Sequence, residues 1–160
     1  MSQKLLFSDL PLGRHLAIVT KLYFGALSRK LNHLELDRHY SVLIFVELSS
    51  MLVTQQIIGD YLQIDKASMV RVLDGLVEKG YLLRRANPED RRSHIIELTL
   101  NGRKLLPEIH AGIKALNVEV MVGLNESEQQ IFRKSLCVLT ANLRKLPADE
   151  VVVQYHKLKD

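Results

Sequence analysis

Apolar residues in the first part of the chain recur at intervals of three and four. Between residues 9 and 32 they are Leu12, Leu16, Val19, Leu22, Tyr23, Ala26, Leu27 and Leu31, the spacing of a long amphipathic helix whose stripe needs a cover. Tyr40, Leu43, Ile44, Phe45, Val46 and Leu48 then occupy nearly every side of a second segment, which predicts a helix buried at the centre, with Asp37 as its candidate N-cap. Thr54 precedes a short helical run ending near Leu62, and Asp65 precedes a better defined one from Lys66 to Lys79, stopped by Gly80. Threonine and aspartate accept from the free N–H groups of a first turn, and glycine enters the left-handed conformation that ends a helix.

The period then changes. From Tyr81 to Arg85 and from His94 to Thr99 the runs become short and strand-like, parted by Pro88 and a polar tip, so a two-stranded antiparallel hairpin is expected. Thr99 or Asn101 opens another helix, with Leu105, Leu106, Ile109, Ile113, Leu116, Val120 and Met121 at helical spacing over 103–122, and Pro107 lies close enough to its start to be tolerated. Asn125-Glu126-Ser127-Glu128 opens the last helix, whose Ile131, Phe132, Leu136, Leu139 and Leu143 share a side and which Pro147 ends. This order predicts a mainly α (α+β) fold. It is one domain over 1–160, with a winged helix-turn-helix and two-stranded β-wing in 33–102 and long N- and C-terminal dimerisation helices in 1–32 and 103–160. A length of 160 residues with 47% hydrophobic content is enough for such a core. Terminal helices with broad apolar stripes suit a homodimer, which would offer two recognition helices to a palindrome about 34 Å apart.

A formal charge of +4 permits an acidic partner without demanding one. Its distribution says more. Between residues 84 and 104, Arg84, Arg85, Arg91, Arg92, Arg103 and Lys104 face only Glu89, Asp90 and Glu97. A helix pair followed by a basic wing points to double-stranded DNA, the second helix fitting a major groove and the wing tip a minor groove. On a wheel of about 100° per residue, Met69, Val70, Leu73, Leu76 and Val77 form the expected core side. The other side collects Ser68, Arg71, Val72 and Gly75, with Lys66 and Ala67 at the N-terminal end and no carboxylate. Arg71 can donate bidentately to guanine, Val72 can touch a thymine methyl and Ser68 can reach a base or phosphate. Taken singly, Arg71 and Lys66 are also ordinary solvated charges, and Val72 equally packs on a neighbouring element. Thr54 and Gln55, at the positive end of the preceding helix, are candidate phosphate binders, Thr54 being at least equally a plain cap. Arg84, Arg85 and Arg91 suit phosphates or simply solvate the wing. Asp90, two residues before Arg92, is expected to hold the Arg92 guanidinium outward into a narrow minor groove.

Other chemistry finds little footing. There is no P-loop, Gly-x-Gly-x-x-Gly, nucleophile elbow or His-Glu-x-x-His, and the six histidines are scattered, so neither catalysis nor a cofactor is expected. His33, Glu35, Asp37 and His39 are dense but fit no regular zinc spacing, and read as loop and cap residues rather than a metal site. Cys137 lies in the apolar run Leu136-Cys137-Val138-Leu139 and is expected in the core, a redox role being the alternative. With no apolar run suited to a signal peptide or a membrane span, a soluble cytoplasmic protein is expected.

Thr54-Gln55-Gln56, Ile64 to Arg71, Leu76 to Leu82, Arg84-Arg85, Asn87 to Ser93 and Leu98-Thr99-Leu100-Asn101-Gly102 together closely resemble the MarR family of bacterial transcription regulators. The resemblance implies a homodimer built on the terminal helices, with Arg92 matching the family's minor-groove arginine. It also implies repression, relieved when a small phenolic or other aromatic effector binds between the dimerisation and DNA-binding parts. His15, Tyr23, His39 and Tyr40 lie near that junction and are the candidate pocket residues, Tyr23 and Tyr40 equally suiting the core. Ala67 departs from the serine or threonine common in the family. Cys137 departs from the N-terminal position of the peroxide-sensing cysteine. The alternative is a winged-helix protein-interaction module without operator binding, against which the acid-free side of the second helix argues.

Overall fold

The computed structural model describes residues 10–36 and 39–147. In chain order it contains α1 (Leu12–Lys30), a 3-10 turn (Asn32–Leu34), α2 (Tyr40–Leu48), α3 (Gln55–Leu62), α4 (Lys66–Glu78), β1 (Leu82–Ala86), β2 (His94–Leu98), α5 (Leu100–Val120) and α6 (Glu126–Leu143). The mainly helical fold and its wing are those expected. Asp37, expected to cap α2, lies outside the described residues, and His39 holds the N-cap position.

Helix starts follow local chemistry. Thr54 Oγ1 accepts from Ile57 N at 3.4 Å, Asp65 Oδ1 from Ser68 N at 2.9 Å, and Thr99 Oγ1 from Gly102 N at 3.0 Å. Asn125 and Glu128 form a reciprocal capping box, with Glu128 N donating to Asn125 Oδ1 at 3.0 Å and Asn125 N to Glu128 Oε2 at 2.7 Å. Each satisfies N–H groups that a helix cannot. Gly80 ends α4 at φ +70°, where a side chain would be strained. α6 stops at Leu143 rather than at Pro147. The residues before the proline close tighter turns, Lys145 N donating to Asn142 O and Leu146 N to Leu143 O, because a residue before proline disfavours the helical conformation.

α2 is central, as its all-round apolarity predicts. Val42 and Leu43 are buried together with Leu27 of α1, Ile58 of α3, Leu73 of α4, Ile96 of β2 and Ile109 of α5. One continuous core therefore joins the helix pair, the wing and the long terminal helices. The wing runs antiparallel, pairing Leu82 with Leu98, Arg84 with Ile96 and Ala86 with His94. A further short pairing sets the wing against the helix pair: Thr54 bridges Ile95, and Ile96 N donates to Val53 O at 2.8 Å. The residue that caps α3 thus also anchors the wing.

Three packing expectations are corrected. Val70, assigned to the core, is exposed, whereas Val72, assigned to the open side, packs against the core. The inward line of α4 is Met69, Leu73 and Leu76. Val72 lies three residues after the first and four before the last, so it falls on the same stripe. Cys137, expected in the core, is exposed. No described residue of α6 is buried, and Ile131, Phe132, Leu136 and Val138 meet solvent within the single chain.

Candidate nucleic-acid interface and adjoining pocket

A cleft of about 510 Å³ opens between the helix pair and the wing, lined by Thr54, Gln55, Gln56, Lys66, Arg84, Asn87, Asp90, Arg92, Ser93, His94 and Ile96. Six of the residues singled out from the sequence are brought together here: Thr54, Gln55, Lys66, Arg84, Asp90 and Arg92. The remainder fall elsewhere. Ser68 and Arg71 stand beside each other on α4, with Arg71 Nη2 donating to Ser68 Oγ at 3.3 Å. Arg91 is exposed at the wing tip. Arg85 projects from the other face of the ribbon and pairs with Glu97 at 2.6 Å. Val72 is half-buried, so its thymine-facing role loses its geometric basis.

The charges sort themselves by partner. Arg84 is bound by Asp74 of α4 at 2.6 Å, and this pair ties the wing to the second helix. Arg84 and Arg85 are therefore already engaged within the protein. Of the candidate contact residues, Lys66, Arg71, Arg91 and Arg92 make no ion pair with a carboxylate among the described residues, which leaves these four to attract an anionic partner.

The loop that presents Arg92 is built from side-chain turns. Asn87 Oδ1 accepts from Glu89 N at 3.0 Å, Asn87 Nδ2 donates to Ser93 Oγ at 2.9 Å, and Ser93 N donates to Asp90 O at 3.1 Å. Asp90 does not grip the guanidinium as expected. Its Oδ1 accepts from the backbone N–H of Arg92 at 2.9 Å, a two-residue Asx turn that fixes the main chain and leaves the arginine head free.

At the start of α4 the Asp65 carboxyl is held below its ordinary range, first by the hydrogen bonds it receives from Ser68. A depressed folded-state value means its contribution to stability is complete above the unfolded aspartate range and is lost as pH falls through the lower folded value. Asp65→Ala should therefore lower the melting temperature at pH 7 and make little difference at the acid end of a pH series. An equal loss at every pH would remove the carboxylate from this account.

Behind the helix pair lies a second cavity of about 470 Å³ between α1, α2, α3 and α5, with Tyr23, Phe24, Tyr40, Phe45, Tyr61 and Ile113 among its lining. The Phe45 and Tyr61 rings sit 4.5 Å apart, and Tyr23 Oη donates to Asn117 Oδ1 at 2.8 Å. Partial burial raises the Tyr23 phenol. Of the four residues expected at the junction, Tyr23 and Tyr40 line this cavity and His15 and His39 do not. Phe24, Phe45 and Tyr61 escaped the sequence reading. The available signal was Tyr61, an aromatic residue near the end of a short helical run. In the loop read as polar, His33 bonds Glu108 across to α5 at 2.6 Å. No group of metal-binding side chains occurs among the described residues, nor is any described helix long and apolar enough to cross a membrane.

A capped helix pair with an open second helix, braced against an arginine-tipped two-stranded wing, defines a winged helix-turn-helix DNA-binding transcriptional regulator. Residues 36–93 match the family model described as MarR family. Transcriptional regulator PA3341 is 30% identical, with 85% of this chain and all of the other covered and a TM-score of 0.76. CouR from Rhodococcus jostii RHA1, in a structure bound to p-coumaroyl-CoA, is 25% identical over 92% of this chain and all of the other, with a TM-score of 0.73. A putative MarR family regulator from Listeria monocytogenes, complexed with 26mer DNA, covers 84% of this chain and 89% of the other at a TM-score of 0.75. At 18% identity it speaks for the fold alone. The chain belongs to the MarR family of transcriptional regulators.

Proposed function

We propose that this regulator is a ligand-responsive repressor that binds a palindromic operator as a homodimer. The observation that carries the reading is the position of α3. Its N-terminal Thr54 and Gln55 line the cleft beside the wing, while its C-terminal Tyr61 and Leu62 line the aromatic cavity. A small aromatic or phenolic effector in that cavity bears directly on the helix that helps position the DNA-contacting surface. Binding that favours one placement of α3 would shift DNA affinity by its differential affinity for the two placements. The ligand in the CouR structure, a phenolic thioester, supports an aromatic effector class.

In this reading residues 33–102 meet DNA, and 1–32 with 103–160 hold two copies together. The exposed apolar faces of α1 (Leu12, Val19, Leu22) and α6 (Ile131, Phe132, Leu136) support the second part, since monomers rarely leave such stripes to solvent. Arg71 with Ser68 reads bases, Arg92 enters the minor groove, and Lys66, Arg91, Thr54 and Gln55 meet phosphates. Selection of bound duplexes from a random pool tests the operator. Enrichment of a palindrome with steeply salt-dependent affinity is expected, and a flat salt response would favour a protein-interaction module. Addition of phenolic acids to the bound complex tests the effector. For the dimer, Leu136→Asp should move the protein from dimer to monomer in sedimentation and abolish tight operator binding, and an unchanged dimer would remove α6 from the interface.

A further inference from the structure

We propose that His94 is a pH-dependent phosphate contact at the base of the wing, so that operator binding takes up protons. The inference rests on the DNA-binding reading but goes beyond it. Two-residue alternation along the ribbon puts Arg84, Ile96 and His94 on one face, because Arg84 pairs with Ile96 and Ala86 with His94. Ile96 on that face is buried in the core. His94, at the end of the strand, is exposed and lines the cleft instead. The bridge from Thr54 to Ile95 sets His94 directly beside the start of α3. A phosphate drawn to the N-terminus of α3 therefore lies next to the imidazole.

The charges that face His94 come from each neighbouring element. α3 offers the uncharged Thr54, Gln55 and Gln56; α4 offers Lys66; β1 offers Arg84, already bound to Asp74; and the wing loop offers Asp90 and Arg92. Asp90 is the one carboxylate lining the cleft, and its Oδ1 is engaged by the Arg92 backbone. Against that single carboxylate stand Lys66 and Arg92, the cations of the cleft that make no ion pair among the described residues. A phosphate bound in the cleft sets negative charge beside the imidazole and favours its protonated form. Protonation and DNA binding then reinforce each other by linkage.

The test measures affinity of the wild type, His94→Gln and His94→Lys for a duplex selected from a random pool and for a scrambled duplex, at pH 6 and pH 8. Wild-type binding should be about threefold to tenfold tighter at pH 6 on both duplexes, with a log–log salt slope steeper by about 0.9 per histidine engaged. His94→Gln should bind as the wild type does at pH 8, with that pH dependence gone. His94→Lys should bind tightly at both values. A pH response retained by His94→Gln would assign the proton to another histidine and overturn the proposal, and a response confined to the selected duplex would make His94 a base contact rather than a phosphate one. No duplex binding at either pH by wild type would instead sink the DNA-binding reading on which this rests. Because the side chain is exposed, the variants should keep the wild-type circular dichroism and melting temperature.

Discussion

Arg92→Ala is expected to weaken duplex binding by about 2 to 6 kcal/mol in the proposed homodimer, because one arginine contact in a groove is worth roughly 1 to 3 kcal/mol and a two-fold would present it twice. The loss should be similar on selected and scrambled sequences, since a guanidinium in a minor groove reads charge and width more than base identity. It should grow where the half-site flank is A·T-rich and the groove narrow. Arg71→Ala makes the contrasting case. Its side chain stands on the open side of α4 beside Ser68, so its removal should cost a comparable amount on the selected operator and little on a scrambled one. Measuring both variants on both duplexes separates the roles, and equal behaviour of the two would refute the division between wing and helix. The Asx turn adds a finer discrimination. Asp90→Asn retains an oxygen for the Arg92 N–H and should preserve binding. Asp90→Ala loses the turn and should reproduce part of the Arg92→Ala defect. If the carboxylate charge rather than the turn mattered, Asp90→Asn would fail as well.

Features that depend on a few neighbouring residues were legible in the chain. Thr54, Asp65 and Thr99 cap the helices that they precede, Asn125 and Glu128 close the capping box, and Gly80 turns out of α4. Such contacts span three residues, so spacing alone predicts them. What was missed depends on partners brought from afar. Arg84 and Arg85 read as free wing charges until β-register put one opposite Asp74 of α4 and the other beside Glu97. The Asp90 case failed at the level of atoms: a separation of two residues suits an aspartate and an arginine, but the short side chain reaches the backbone N–H first. Val70 and Val72 exchanged places because a wheel gives relative angles, and the docking of α4 on α3 and β1 decides where the stripe is centred. Cys137 was placed in a core from the apolarity of α6, yet apolarity asks only for cover and does not say that the same chain supplies it. The cavity was legible only through Tyr23 and Tyr40, since its wall is assembled from four helices.

The wing and the long helix α5 meet at Gly102, and Gly102→Ala is expected to be the most damaging small substitution in the DNA-binding unit. A Cβ built there would lie 2.2 Å from the Tyr81 carbonyl oxygen and 3.0 Å from a Leu98 methyl. The near neighbour is backbone, which cannot swing aside as a side-chain tip can. Nor is that backbone free to shift. Tyr81 O accepts from Thr99 N at 3.1 Å, Thr99 Oγ1 donates to Gly80 O at 2.6 Å, and the same hydroxyl accepts from Gly102 N at 3.0 Å. Relieving the clash therefore means opening the junction where α4, β1 and α5 converge. Overpacking of this kind costs about 1 to 3 kcal/mol, which corresponds to a melting-temperature loss of roughly 2 to 4 °C for each kcal/mol in a chain of this size. Gly112 provides the control. Its added Cβ would meet only the buried Leu31 side chain, at 2.6 Å, and a side-chain end shifts more readily than backbone, so Gly112→Ala should be milder. Because the strained contact anchors the base of the wing, Gly102→Ala should also weaken duplex binding while leaving the oligomeric state intact. Equal melting temperatures for the two variants would show that the junction yields more easily than its hydrogen bonds imply.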